Sequence, residues 1–192
     1  MIIVYGGSFN PPTKAHESIM KHLIDTFKPN RFVFLPVGNN YSKPELIAFS
    51  NRVDMLKLIA EPFDCIDISE IENNDSYKGT LDALEKLKKQ YNDEIYFVIG
   101  ADNLLDFETW INYEKLIKTF KFIVIDRGNL DIKSLIEQKF PKQMSQFNQV
   151  KMSLREASSL VRKDFYQYED YLTKSVADYI KKNHLYGVWV YV

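Results

Sequence analysis

The chain has 192 residues, a formal net charge of −1 and a single cysteine, Cys65. This length fits one domain with a substantial core, and the near-neutral charge gives no evidence for nucleic-acid or anionic-membrane binding. One cysteine excludes an internal disulfide and a thiolate metal cluster. No apolar run approaches the roughly 18 to 20 residues of a membrane span, and no basic segment leads into an apolar one at the N-terminus. We therefore expect a soluble, cytoplasmic protein.

Short apolar runs alternate with helical patterns along the chain, which predicts alternating strands and helices. The predicted strands cover residues 2–5, 32–37, 65–68, 95–99, 122–125 and, with a weaker pattern, 149–152. Apolar side chains at helical spacing predict helices after Pro12 and over residues 52–59, 81–91 and 173–183. Together these elements predict an α/β fold, a doubly wound parallel sheet flanked by helices, in a single domain covering residues 1–192.

The segment 188–192 is apolar and strand-like, and it follows the predicted helix over 173–183. An exposed apolar strand promotes aggregation. We therefore expect the helix and tail of residues 173–192 to pack on the domain, or the tail to contact a second copy of the chain in a homo-oligomer.

The first sixteen residues predict an anion site at the carboxyl end of the first strand. The strand leads into Gly6 and Gly7, and the pair Pro11-Pro12 then opens a helix that carries His16 in its first turn. Backbone N–H groups at a helix start attract anions, and glycines allow a ligand to approach closely. The phosphate-loop patterns G-x-G-x-x-G and G-x-x-x-x-G-K-[ST] are both absent. From residue types alone, a tight turn with a polar surface histidine remains the other interpretation.

The run Gly6-Gly-Ser-Phe-Asn-Pro-Pro-Thr-Lys-Ala-His16 resembles the (H/T)-x-G-H signature of the nucleotidyltransferase superfamily. Four later segments resemble bacterial nicotinate-nucleotide adenylyltransferases in order and spacing. These segments are Pro36-Val-Gly-Asn-Asn-Tyr-Ser-Lys43 with Asn51-Arg52, Asp75-Ser-Tyr77 with Thr80-Leu81, Tyr96-Phe-Val-Ile-Gly-Ala-Asp-Asn-Leu-Leu105 with Trp110, and the stretch from Val176 to Tyr186. The resemblance implies a Rossmann-like fold and transfer of the adenylyl group of ATP, with Mg²⁺, to nicotinate mononucleotide. The products would be deamido-NAD, a precursor in NAD biosynthesis, and pyrophosphate.

The resemblance also implies which residues form the site. The catalytic residues would be His16, Thr13 and Arg162. The ATP-binding residues would be Gly6, Gly7, Ser8, Phe9, His16, Gly100, Asp102, Arg155, Ser158, Ser159 and Arg162. The mononucleotide-binding residues would be Asn39, Lys43, Tyr77, Thr80 and Trp110. No metal ligand is expected from the chain, because Mg²⁺ often keeps water and phosphate oxygens as ligands.

Two departures from the family pattern occur near the helix start. Thr13 stands where the nicotinate enzymes commonly have histidine, and Ala15 stands where they have glycine. Thr13 could bind a phosphate oxygen or cap the helix.

The second basic segment allows two registers. The pattern Ser153-Leu-Arg-Glu156 is typical of a capping box that opens a helix, whereas Ser158-Ser-Leu-Val-Arg162 is similar to the phosphate-binding helix start of phosphopantetheine adenylyltransferases. On one helix, Arg155, Ser158, Ser159 and Arg162 would share a face, at spacings of i, i+3, i+4 and i+7. All four could then clamp phosphates.

Three other functions remain open. Phosphopantetheine adenylyltransferase, or another small-molecule nucleotidyltransferase, is supported by Thr13 and the segment 158–162, while the segment 100–102, Trp110 and the Leu185-Tyr186 ending favour the nicotinate enzyme. A non-catalytic nucleotide-binding protein of the same fold is the second alternative. An NAD-dependent oxidoreductase is disfavoured by the missing glycine fingerprint. The sequence leaves the choice between acid and amide substrate, and the oligomeric state, undecided.

Overall fold

The computed structural model describes residues 1–40, 45–74, 76–126 and 130–189. Six parallel strands form one sheet in the order β3-β2-β1-β4-β5-β6. The strands are β1 (Ile2–Gly7), β2 (Arg31–Pro36), β3 (Ile66–Ile68), β4 (Ile95–Gly100), β5 (Lys121–Asp126) and β6 (Phe147–Lys151). The helices are α1 (Lys14–Phe27), α2 (Phe49–Ala60), α3 (Thr80–Tyr91), α4 (Asn103–Asp106), α5 (Tyr113–Thr119), α6 (Ile132–Lys139), α7 (Ser158–Lys163) and α8 (Lys174–Lys182). The doubly wound parallel sheet and its six strands are confirmed.

Successive side chains of a strand point to opposite faces, so the sheet has a core on each side. On one face, Ile3 of β1 packs in a cluster that includes Leu23 of α1 and Ile180 of α8. On the other face, Val4 packs in a cluster that includes Leu84 of α3. Each fully buried aliphatic side chain of this kind contributes about 1.5–3 kcal/mol. Both layers are needed because the strands are apolar on both faces.

The strand order reverses between β1 and β4, which pair directly through Tyr5 and Val98. Chains leaving such a pair diverge to opposite faces of the sheet and open a crevice at the carboxyl ends of the strands. The first glycine of β1 is required there, because a Cβ on Gly6 would lie 2.7 Å from the ring of Phe97. The fold therefore places the segment after β1 and the segment after β4 beside one crevice.

The C-terminal helix α8 packs against α2. The Tyr179 hydroxyl lies 3.1 Å from the Asn51 side-chain oxygen and 3.2 Å from a carboxylate oxygen of Asp54. After α8, Val188 is buried, whereas Trp189 is 64% exposed. The rest of the apolar tail, residues 190–192, lies outside the described residues, so the expectation for the tail stays a prediction.

Short helices account for the main difference between the predicted and observed elements. The helices α4, α5 and α6 contain 4, 7 and 8 residues, and one or two turns give too few apolar positions for a clear period. The short helix α7 begins at Ser158, as one of the two registers of the second basic segment predicts. In the described part of the chain, no helix has the length and apolar character needed to cross a membrane.

Candidate active site

Two cavities meet at the carboxyl edge of the sheet, and Ser8 lines both of them. The larger has a volume of about 610 Å³ and the smaller about 220 Å³. Of the predicted site residues, the larger cavity is lined by Gly6, Gly7, Ser8, Tyr77, Thr80, Gly100, Asp102 and Trp110. The smaller cavity is lined by Ser8, Phe9, His16, Ser158, Ser159 and Arg162. The structure thus brings together most of the predicted site.

His16 is oriented by the helix start that carries it. Its Nδ1 accepts a hydrogen bond from the backbone N–H of Thr13 at 2.9 Å and lies 3.0 Å from the Thr13 hydroxyl. A nitrogen that accepts from an N–H carries no proton, so the neutral ring holds its proton on Nε2. The Phe9 ring packs against the imidazole in an edge-to-face arrangement, with the centroids 5.3 Å apart and 67° between the planes. The ring is therefore held as a hydrogen-bond donor at the smaller cavity.

Thr13 serves that orientation. It is the N-cap residue of α1, is 0% exposed and is not among the residues that line either cavity. Of the two roles that the sequence allows, the structure favours the cap, through which Thr13 acts on His16. The hydroxyl of Thr13 faces His16, so a direct bond from Thr13 to a phosphate oxygen stays a prediction.

The helix α7 brings Arg162 to the smaller cavity. The Ser158 hydroxyl donates to the carbonyl oxygen of Pro11 at 2.8 Å, and an Arg162 guanidinium nitrogen donates to the carbonyl oxygen of Asn10 at 2.7 Å. A second nitrogen of Arg162 lies 3.5 Å from a carboxylate oxygen of Glu45. These bonds dock α7 onto the loop after β1 and fix a guanidinium group at the cavity that His16 also lines.

The expectation that Arg155 shares a helix face with Ser158, Ser159 and Arg162 is wrong. The helix α7 begins at Ser158, with Ala157 as its N-cap residue, so Arg155 precedes it. The capping box at Ser153 does not open a helix: residues 153–157 are not helical, and the Glu156 carboxylate accepts from the backbone N–H of Arg155 at 3.2 Å. Arg155 is exposed and is not one of the residues that line either cavity.

An aromatic wall closes one side of the larger cavity. The Trp110 ring stacks on Phe107 with centroids 5.0 Å apart and an angle of 26° between the planes. Trp110 is only half-buried, so part of its ring remains available to a ligand. Tyr77, which is 41% exposed, and Thr80 line the same cavity. A planar ring of a ligand would fit against this wall.

Two predicted mononucleotide-binding residues, Asn39 and Lys43, are not among the described residues that line the larger cavity. The Asn39 side-chain oxygen accepts from the guanidinium of Arg52 at 3.0 Å, so this residue supports the loop after β2. Lys43 lies outside the described residues, as does Asp75 of the segment similar to the family.

Arg52 is a buried residue of α2 that holds the loop after β1 by hydrogen bonds, a role that the sequence analysis missed. Its side chain is 0% exposed, and burial lowers the pKa of its guanidinium. The guanidinium donates to the carbonyl oxygens of Ser8 at 2.9 Å and Ile47 at 3.3 Å. The sequence does contain a signal for this role, since Arg52 lies among the apolar residues of a predicted helix. An arginine is almost never fully buried unless it is paired, so such a position indicates an arginine with buried partners.

Asn10 connects three parts of the site and was also missed. Its side-chain nitrogen donates to the carbonyl oxygen of Glu45 at 2.8 Å. Its side-chain oxygen accepts from the Ile47 N–H at 3.4 Å and from the Tyr186 hydroxyl at 2.8 Å. Burial raises the pKa of the Tyr186 hydroxyl, which keeps it protonated as a donor. Asn10 thereby connects the loop before α2 and the C-terminal segment to the loop after β1.

Glu72 is the third residue that sequence reasoning missed. It lines the larger cavity, and its Oε2 is buried without a hydrogen-bond partner among the described residues. Burial, and secondarily the charge of Asp82, raise the pKa of the Glu72 carboxyl to about 7. Nothing in a polar loop sequence distinguishes such a carboxyl from an exposed one.

Known proteins share both the sequence and the fold. The family model described as cytidylyltransferase-like matches residues 4–182. A protein of Acholeplasma laidlawii named "Probable nicotinate-nucleotide adenylyltransferase" is 40% identical over 191 residues, which cover 97% of each chain. One of the same name from Leptospira borgpetersenii is 34% identical over 192 residues, covering 96% of this chain and 95% of the relative.

A solved structure of Plasmodium falciparum nicotinic acid mononucleotide adenylyltransferase complexed with NaAD superimposes with a TM-score of 0.83 and 27% identity over 98% of each chain. The same enzyme complexed with APC gives a TM-score of 0.81, 26% identity and the same coverage. Sequence and fold agree over nearly the whole length. The chain belongs to the cytidylyltransferase-like family and, within it, to the nicotinate-nucleotide adenylyltransferases.

Proposed function

We propose that this protein transfers the adenylyl group of ATP to nicotinate mononucleotide, giving deamido-NAD and pyrophosphate. The observation that carries the proposal is the meeting of two unlike cavities at Ser8, one walled by an aromatic stack and the other by hydrogen-bond donors. A phosphate oxygen of the mononucleotide attacks the α-phosphorus of ATP, the bond to the β-phosphate oxygen breaks, and pyrophosphate leaves. The reaction needs two anions to be held in contact, which a shared boundary between two cavities provides.

The smaller cavity supplies the charge stabilisation. His16 donates from Nε2, Arg162 offers a fixed cation, and the start of α1 adds partial positive charge. No protein nucleophile is required, because the attacking group belongs to the substrate. We propose that these donors act on the phosphates of ATP, where negative charge accumulates as pyrophosphate departs.

The larger cavity would hold the mononucleotide. Its Trp110 wall offers a flat surface to the pyridine ring, and such stacking contributes about 0.5–1.5 kcal/mol beyond the burial of area. Asp102, exposed at the end of β4, offers a carboxylate to ribose hydroxyl groups.

We propose that Mg²⁺ reaches the site bound to ATP. In the described ranges, no cluster of three or more histidine, cysteine, aspartate or glutamate side chains could hold a metal by itself. This donor set fits an ion that takes its ligands from phosphate oxygens and water. When bound, Mg²⁺ would neutralise phosphate charge.

The phosphopantetheine alternative loses one of its two supports. Thr13 is buried behind His16 and contacts that residue, so its identity says little about the acceptor. The segment 158–162 remains as the other support. A cytoplasmic location and a homo-oligomer stay predictions, and sedimentation of the purified chain tests the second.

The test is pyrophosphate release from ATP and Mg²⁺ with nicotinate mononucleotide, nicotinamide mononucleotide and 4′-phosphopantetheine in parallel. We expect turnover with nicotinate mononucleotide and a loss of about 10²–10³-fold in kcat in His16→Ala, the usual cost of removing a donor to a developing charge. His22→Ala, an exposed histidine on the same helix, is the matched control and keeps wild-type activity.

Turnover only with phosphopantetheine would assign the protein to that other transferase. ATP binding without pyrophosphate release in any mixture would identify a non-catalytic nucleotide-binding protein.

A further inference from the structure

One buried oxygen in the larger cavity has no hydrogen-bond partner among the residues that the structure describes. Glu72 lines this cavity, and its Oε2 is shielded from solvent yet bonds to none of the described residues. Buried polar atoms of folded proteins are nearly always paired, and leaving one unpaired is costly. An unpaired oxygen at the wall of a substrate cavity therefore points to a partner that arrives with the substrate.

The loop that carries Glu72 packs closely on two neighbouring segments of the chain. A Cβ on Gly38 would lie 2.0 Å from the Glu72 carbonyl oxygen, so this loop packs directly on the chain that follows β2. A Cβ on Gly79 would lie 2.9 Å from the Ile111 side chain, next to Trp110. The first approach fixes the backbone of Glu72 against the chain after β2, and the second brings the end of the same loop next to Trp110. Glu72 and Trp110 line the same cavity.

The surroundings of Glu72 favour its neutral form. Burial acts first and the charge of Asp82 second, and together they raise the pKa of the carboxyl to about 7. Asp82, in the first turn of α3, is itself paired with Lys86 at 2.7 Å. The other titratable side chains that line the cavity are Tyr5, Tyr77 and Asp102. Lysine, arginine and histidine are absent from the described lining, so no nearby cation there favours the carboxylate.

We propose that Glu72 determines substrate specificity: its protonated carboxyl donates a hydrogen bond to the ring carboxylate of nicotinate mononucleotide. This inference rests on the proposed function, since it assigns a partner to the mononucleotide in the same cavity. An ionised Glu72 would repel that carboxylate and would accept from the amide of nicotinamide mononucleotide. The nicotinate substrate therefore binds together with a proton once the pH exceeds neutrality, and the preference for acid over amide falls as Glu72 ionises.

The test measures the binding of each mononucleotide by calorimetry, with a non-hydrolysable ATP analogue present. Between about pH 6 and pH 8 we expect the affinity ratio of acid to amide to fall about tenfold, because the protonated fraction of a carboxyl with a pKa of about 7 falls by that factor. Glu72→Gln keeps a donor at the same place and makes the ratio independent of pH. Glu70→Gln removes an exposed carboxyl near Glu72 and keeps the wild-type slope.

Proton uptake gives a second readout that needs no variant. Near pH 8, binding heats in buffers of different ionisation enthalpy should show uptake of about one proton with nicotinate mononucleotide and none with nicotinamide mononucleotide. A merely structural role of Glu72 would not produce this difference.

An affinity ratio that is flat with pH in the wild-type protein, or that slopes equally in Glu72→Gln, overturns the proposal, as does equal proton uptake for the two ligands. Because binding is measured without turnover, a protein that releases no pyrophosphate still reports on Glu72. Failure to bind either mononucleotide overturns both proposals.

Discussion

The two cavities differ in how completely the protein has paired their polar groups. Around the smaller cavity, the Nδ1 of His16, the side chain of Asn10 and the guanidinium of Arg162 all bond to backbone or side-chain partners. The larger cavity has an aromatic wall and a buried carboxyl oxygen, that of Glu72, with no partner in the described part of the chain. The smaller cavity therefore has its polar groups fixed before a ligand binds, whereas the larger cavity leaves one polar group to bond with the ligand.

This difference matches the chemistry that each cavity would serve. Polyphosphate binding needs donors whose positions are fixed before charge develops, because reorganisation during the reaction raises the barrier. Discrimination between two rings that differ in one substituent needs a single polar contact, which a loop can carry. We therefore expect substitutions at the smaller cavity to lower kcat and substitutions at the larger cavity to raise KM for the mononucleotide.

The largest effect should come from Arg162→Met, which removes the fixed cation but keeps much of the packing. We expect kcat to fall about 10²–10³-fold, the range measured when one donor to a developing oxyanion is removed. The KM for the mononucleotide should change little, as steady-state kinetics would show. Lys163→Met, an exposed neighbour on the same helix, is the control. An equal loss in both variants would mean that general positive charge, and not the placement of Arg162, is what matters.

A smaller and different effect is expected from Trp110→Leu. Losing the stacking surface should raise KM for nicotinate mononucleotide about three- to tenfold, since such contacts contribute about 0.5–1.5 kcal/mol. The KM for ATP should stay unchanged, and both constants come from one steady-state data set. Trp189→Leu removes the exposed tryptophan instead and should leave both constants alone. A drop in kcat with KM unaltered would show that the aromatic wall does not hold the ground-state ring.

The sequence predicts the sheet well because its signals are strong and local. Each strand is a short apolar run. The first of them ends at Gly6 and Gly7, and these two glycines lie at the crevice that the structure shows. The helices α1, α2, α3 and α8 show clear apolar stripes. The short helices α4, α5 and α6 escape prediction because one or two turns carry no clear period, and their formation depends on packing against the sheet. A helix start at Ser158 is predicted only through the resemblance of its motif.

The site is predicted as far as its motifs extend along the chain. His16, Arg162 and Trp110 are recognisable from their sequence neighbourhoods, and all three line the two cavities. Asn10 and Glu72 are not, because their importance comes from partners or burial that only the folded chain creates. At Arg155 the sequence left two registers open, and the structure begins α7 at Ser158, so Arg155 precedes the helix.

The smallest predicted effect tests whether the C-terminal segment helps to build the smaller cavity in advance. Tyr186→Phe removes the hydroxyl that donates to Asn10, whose oxygen then keeps only the longer bond from Ile47 at 3.4 Å. Loss of one such hydrogen bond costs about 1 kcal/mol, and a chain of this length should melt about 2–4 °C lower. Tyr166→Phe is the matched control, because the Tyr166 hydroxyl donates to the backbone carbonyl of the exposed Trp189 at the surface. This variant should melt within a degree or so of wild type.

The kinetic consequence decides between a structural and a positioning role for Tyr186. The backbone carbonyl oxygen of Asn10 accepts a hydrogen bond from Arg162, and its side-chain oxygen accepts one from Tyr186. If that connection positions the guanidinium, Tyr186→Phe lowers kcat severalfold and leaves the affinity for nicotinate mononucleotide unchanged. A lower melting temperature with unaltered kcat would instead show that Arg162 is positioned by α7 alone. The C-terminal segment would then take no part in building the smaller cavity in advance.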